Sequence, residues 1–106
     1  MKELILEEQA LAEYRDATSR YAADNPAAAL RFVDLVEAAI DGIQREPHSW
    51  PLDPTVPAAL GVRRTRIDGY PYSVVYMETA SELHVLAVAH GKREPGFWRG
   101  RLPSAR

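Results

Sequence analysis

Four arginines and a histidine are the residues of this chain whose types and spacing could do chemistry. Arg63, Arg64 and Arg66 fall within one short run, VRRTRI, and Arg93 belongs to the string His90-Gly91-Lys92-Arg93-Glu94. Arg64 and Arg66 are two apart, so on a strand their guanidiniums share a face. Such a set can keep a sheet edge soluble, or it can pair with acidic residues of a partner through charge-assisted hydrogen bonds. His90 is the candidate acid–base group, because an imidazole titrates near neutrality. Its plainer role is to end a strand and hydrogen-bond a loop. His84 points to the same face as His90 if the strand alternates regularly. At about 3.3 Å per residue the two lie roughly 20 Å apart, too far to share a metal. His48 sits in a proline-rich stretch as a structural or solvent-facing residue. The chain has no cysteine, so disulfides and thiolate ligands are excluded. No metal site and no cofactor are expected.

The elements that must position these groups follow from periodicity. Lys2 to Leu6 alternates as a short opening strand. From Glu7 the period lengthens, and Leu11, Tyr14, Thr18 and Tyr21 form the stripe of an amphipathic helix ending near Asp24. Asn25-Pro26 then starts a second helix, the asparagine as cap and the proline at its first position. That helix carries Phe32, Val36, Ile40 and Ile43 on one face and stops at Glu46, before Pro47. The stretch from Pro47 to Ala59 holds four prolines and reads as an ordered, irregular connection in which Trp50 folds back onto the helices. Three strand-like runs follow, Val62–Ile67, Tyr72–Thr79 and Leu83–His90, with turns at Asp68-Gly69 and Ala80-Ser81. The tail has room for one helical turn around Phe97-Trp98.

The order strand, helix, helix, strand, strand, strand predicts a single α+β domain over residues 1–106. It has two layers, a small mostly antiparallel sheet with a helical hairpin on one face. Regular alternation puts Leu83, Val85, Ala87 and Ala89 under the helices and turns Leu86 and Val88 away. Val75 and Met77 point away likewise. With only the tail to cover this second face, it is expected to stay open as an apolar binding surface.

Charge is divided along the chain. Residues 1–53 carry five Lys/Arg against eleven Asp/Glu, and residues 54–106 carry eight against four. The net values are −6 and +4, which sum to the formal −2. A basic half facing an anionic partner is one reading, and scatter over an ordinary surface is the other. The N-terminus is neither a secretory signal nor an anchor, and no stretch approaches a membrane span, so a cytoplasmic protein with no membrane partner is expected.

Taken together, the Asn25-Pro26 break, Trp50-Pro51, Val62-Arg63-Arg64, Tyr70-Pro71-Tyr72 with Val74-Val75-Tyr76, Val88-Ala89-His90-Gly91-Lys92-Arg93 and Pro95-Gly96-Phe97-Trp98 resemble the RelE/ParE toxin superfamily. The resemblance spans nearly the whole chain; its specificity lies in the order and spacing of the pieces. It implies the toxin of a bacterial type II toxin–antitoxin module, neutralised by the C-terminal segment of a cognate antitoxin that wraps around it. The expected contacts for that segment are Arg63, Val75, Met77, Leu86, Val88 and Trp98. Two activities occur on this fold, and fold alone does not choose between them: RelE-type members cut messenger RNA on the ribosome, and ParE-type members poison DNA gyrase.

RNA cleavage requires basic groups to stabilise the phosphate and an acid–base pair to move protons. By resemblance, Arg64, Arg66 and Arg93 match three basic positions of the nuclease members, with His90 as a stand-in acid–base group. The third-strand arginine of those members is Ser73 here, and their C-terminal tyrosine is Arg99. Together with the weak net charge, these departures favour the ParE-like reading, a toxin acting by binding. An RNA endoribonuclease and an inactive remnant that only binds antitoxin are the alternatives.

Overall fold

The computed structural model describes residues 2–103. Strand β1 (Glu3–Leu6) leads into helix α1 (Glu8–Asp24) and helix α2 (Pro26–Arg45), followed by strands β2 (Val62–Arg66), β3 (Tyr72–Glu78) and β4 (Glu82–His90). Short 3-10 turns cover Ala58–Leu60 and Phe97–Arg101. The sheet order is β1-β4-β3-β2, with β1 parallel to β4 and the other pairs antiparallel. The expected α+β architecture and element order are therefore those observed.

Asn25 ends one helix and starts the next. Its extended backbone breaks the helical run, and its side-chain oxygen accepts from the Ala28 N–H at 3.3 Å, with Pro26 at the first helical position. The helix side of the sheet is packed by Phe32, Val36 and Ile43 of α2 against Val74, Tyr76, Leu83, Val85 and Val88. Ala10 and Ala17, both fully buried, present small side chains that let α1 lie close on the sheet. Tyr21, Phe32, Tyr70 and Tyr72 form an aromatic cluster at one end, with ring centroids 5.1 to 6.3 Å apart. The hydroxyls of Tyr70 and Tyr76 donate to the carbonyls of Ala28 and Pro47, both at 2.7 Å. The first bond ties the β2–β3 turn to the start of α2, and the second ties β3 to the connection just after α2.

The proline-rich connection is built onto the edge of β2. Leu52 bridges Arg63, Asp53 N–H donates to the Val62 carbonyl at 2.8 Å, and Arg64 N–H donates to the Pro51 carbonyl at 3.3 Å. Trp50 packs on the helices as expected.

Two expectations about strand faces are corrected. The pairing of β3 with β4 jumps from Val75↔Ala87 to Tyr76↔Val85, which leaves Leu86 as the extra residue of a β-bulge. A one-residue insertion inverts the alternation beyond it. Val88 therefore lies under the helices, while Ala87 and Ala89 join Leu86 on the second face. By the same inversion His84 and His90 are on opposite faces, not the same one.

The second face is also not open. Val62, Val75, Leu86, Ala87, Ala89 and Trp98 form a second buried cluster, flanked by Val56, Leu60, Met77, Phe97 and Leu102. Val75 and Leu86 are 0% exposed, and Val88 and Trp98 2%. The cover comes from the chain itself. Gly96, at φ +77°, turns the chain so that Phe97–Arg101 folds back over the sheet, and Val56 and Leu60 of the connection close the other side. Of the six expected contact residues, only Arg63 and Met77 remain partly exposed. Arg63 donates to the Trp50 carbonyl at 2.6 Å.

Candidate functional site: a basic cleft at the end of the sheet

The pairings Arg66↔Ser73, Ser73↔Ala89 and Tyr72↔His90 bring the end of β2, the start of β3 and the end of β4 to one edge of the domain. Arg64 and Arg66 share a face, as their spacing requires. A cavity of about 720 Å³ is lined by both arginines, with Trp50, Pro51, Leu52 and Pro54 as its apolar wall. A smaller one of about 200 Å³ holds Arg64, His90 and Arg93 together, with Phe97 and Trp98 behind them. A third, of about 400 Å³, opens on the α1 side between Glu13, Asp16, Tyr72, His90, Lys92 and Arg93. The candidate residues Arg64, Arg66, His90 and Arg93 are thus gathered at one end of the sheet. Arg63 faces the other side of β2, and Val75, Leu86, Val88 and Trp98 are structural core.

Three of the four groups are oriented by a neighbour. The Arg64 guanidinium lies 3.4 Å from Asp53, whose carboxylate is 2% exposed and also accepts from the N–H and hydroxyl of Thr55 at 2.9 and 2.6 Å. His90 stacks edge-on to Tyr72 at 5.0 Å, and its Nδ1 accepts from the Lys92 N–H at 3.0 Å. That bond places the proton of the neutral ring on Nε2. Arg93 lies 3.7 Å over the Phe97 ring and 3.8 Å from Glu13. Arg66 is exposed and makes no ion pair or side-chain hydrogen bond among the described residues. Ser73, opposite Arg66, is 5% exposed and lies in the wall of the larger cavity, where it brings no charge. Arg99 is exposed, its side chain lying across Gly96.

Three residues important to this end of the molecule escaped the sequence reading. Asp53 left a signal, the Asp-x-Thr spacing of a side-chain-capped turn. Glu13 and Arg101 left none, because their meeting depends on how the C-terminal turn crosses α1. Among the described residues no group of three or more His, Asp or Glu could hold a metal ion, and no helix is long and apolar enough to cross a membrane.

The fold and this cleft define a small two-layer α+β domain with basic residues gathered at one end of its sheet. The family model of the ParE toxin of the type II toxin–antitoxin system parDE matches residues 4–95, and the chain belongs to that family. A solved structure, the chromosomal ParDE toxin–antitoxin system from P. aeruginosa, is similar in fold with a TM-score of 0.71. The match covers 85% of this chain and 96% of that one at 22% identity. No curated protein sequence matches the chain.

Proposed function

We propose that this chain is a growth-inhibiting toxin that acts by binding DNA gyrase and is held inactive by a cognate antitoxin. The observation that carries the reading is the composition of the cleft. Basic groups are gathered there without a matched proton donor and acceptor. Ser73 is buried where nuclease relatives place an arginine, Arg99 stands in place of their tyrosine, and Nδ1 of His90 is committed to a backbone N–H. A site that stabilises negative charge without moving protons suits recognition better than phosphodiester cleavage. With the second sheet face closed by the chain itself, the antitoxin reading rests on family membership and on this cleft, not on an open apolar surface. The test is a supercoiling assay with purified gyrase and stoichiometric excess of the chain. Inhibition is expected, and undiminished supercoiling rejects the gyrase target.

A second reading is favoured by one observation. Arg64, His90 and Arg93 line a single cavity, which is the minimum a ribosome-dependent RNase would require. Mapping messenger 5′ ends after induction separates the two. Ribosome-phased cuts would establish cleavage, and their absence leaves the binding toxin. Normal growth with soluble chain present would mark an inactive antitoxin-binding remnant.

A further inference from the structure

We infer that His84 is a proton-operated clasp on the edge strand β1. As a doubly protonated ring it holds the β1–α1 junction to β4, and on losing one proton it releases Glu7 to the start of α1. The inference depends on neither the gyrase nor the antitoxin reading.

The first observation is what surrounds the ring. Nδ1 lies 2.8 Å from Glu7 Oε2 and Nε2 2.8 Å from Glu82 Oε1, in a side chain that is 9% exposed. A neutral imidazole donates from one nitrogen and accepts at the other, whereas an ionised carboxylate only accepts. Bonds from both nitrogens to two carboxylates therefore call for the imidazolium. Burial opposes that charge, the bonds to Glu7 and Glu82 favour it, and the net result is a raised pKa. Across the sheet the ring stands between Ile5 of β1 and Met77 of β3, both uncharged. Glu3 is exposed opposite Glu82, Glu8 is exposed in the first turn of α1, and Arg101 of the C-terminal turn is taken by Glu13.

The second observation is what the clasp fastens. β1 is four residues long and lies at the edge of the sheet beside β4. Its start is tied by Lys2, which donates to the Thr79 carbonyl at 2.7 Å and meets Glu78 at 2.9 Å. His48 also reaches Glu78, at 2.6 Å, but the lysine bonds do not need it. The end of β1 has the bond from Glu7 N–H to the Val85 carbonyl, at 3.1 Å, and the clasp itself. Glu7 is also the residue before α1, and its side chain makes no bond to the first N–H groups of that helix. Those groups form the positive end of the helix dipole, where a carboxylate is stabilised. Glu82 has no such alternative, being fixed two residues from His84 on the same strand. When the ring turns neutral, its remaining proton stays on Nε2 toward Glu82. The Nδ1 lone pair then repels Glu7, whose carboxylate swings to α1. Fastened still at Lys2, β1 loosens first at the bond from Glu7 to Val85.

The test follows the purified chain by NMR at about pH 6 and about pH 9, on either side of the transition. The ring nitrogens of His84 should both carry protons at the lower pH and Nε2 alone at the higher. Protection of the Glu7 amide against hydrogen exchange, corrected for the intrinsic effect of pH, should fall roughly tenfold, as for the loss of one charge-assisted hydrogen bond. The amides of Asn25 and Ile67, bonded to the carbonyls of Tyr21 and Tyr72, should change far less. Glu7→Gln should abolish the pH dependence, because a carboxamide both donates and accepts and so suits either form of the ring. His84→Gln should abolish it too, and Glu7→Gln decides alone if that variant does not fold. A singly protonated ring at the lower pH overturns the inference, as does pH dependence that survives in Glu7→Gln. Parallel loss of protection at all three amides also overturns it, since His84 would then act on overall stability and not on β1.

Discussion

Arg101 and Glu13, 88 residues apart in sequence, meet in a two-bond pair at 3.0 and 2.9 Å where β1 has ended and β4 continues. Glu7 N–H donates to the Val85 carbonyl at 3.1 Å, the last backbone bond of that edge. Past it the side chains take over. Arg101 donates to the Leu86 carbonyl at 3.0 Å, and Glu13 accepts from the Val88 N–H at 3.1 Å. The pair thus replaces a missing strand and pins the C-terminal turn over the second face.

Removing either partner strands a part-buried charge and an edge backbone group. Glu13→Ala and Arg101→Ala are each expected to lose about 2–3 kcal/mol of stability. The double variant should lose much less than the sum. Chemical denaturation of the four proteins measures the coupling, and purely additive losses would show that the two side chains act independently.

The buried second face gives a prediction opposite to that of an open binding surface. Leu86→Ala should cost about 3 kcal/mol through the cavity it leaves. Val75→Asp should prevent folding, because a carboxylate there has no partner and no water. Circular dichroism of the isolated variants decides the matter: native spectra and unaltered midpoints would mean that the C-terminal turn does not seal this face.

Gly42 lies in α2 beneath Trp50. A Cβ there would come within 2.9 Å of the indole Cη2. Gly42→Ala gains about 1 kcal/mol of helix propensity and costs about 1–3 kcal/mol in displaced packing. A net loss near 1 kcal/mol is expected, with red-shifted emission from Trp50, since Trp98 remains buried. A more stable protein with unchanged fluorescence would show that the indole tip moves freely.

His84 joins β4 to the start of α1, with Nδ1 2.8 Å from Glu7 and Nε2 2.8 Å from Glu82. Burial works against its charge, but the hydrogen bonds to the two carboxylates outweigh it, and its pKa is raised. Protons are therefore bound more tightly in the folded state. The stabilisation is complete below the ordinary histidine pKa of about 6.5 and fades as pH rises through the higher folded value. Unfolding free energies at about pH 6 and about pH 9 should differ in that sense, and His84→Gln should flatten the difference. A wild-type curve rising over this interval would contradict the assignment.

Legibility differed sharply from element to element. The Asn25-Pro26 boundary could be read because capping and the missing proline N–H act within one turn of chain. The shared face of Arg64 and Arg66 could be read because β2 is regular over those residues. In LHVLAVAH the reading failed. Its residues 85–89 are all apolar and buried on both sides, so they carry no alternation to betray an inserted residue, and regular alternation puts Val88 and His90 on the wrong face. The candidate site was legible as a list of basic residues, and not as a cleft.

What the sequence by itself determined is local: two helices divided by the Asn25 cap, four strands, the order of the elements, the basic second half and the family likeness carried by ordered short motifs. Tertiary structure alone decided the rest. It closed the second sheet face with the chain's own C-terminal turn, set Glu13 against Arg101, aimed Arg64 through Asp53, and left Arg66 without a partner among the described residues. The reason is that helix caps and strand periods act between near neighbours, whereas edge satisfaction and face coverage are settled between segments whose separation in sequence says nothing about their meeting in space.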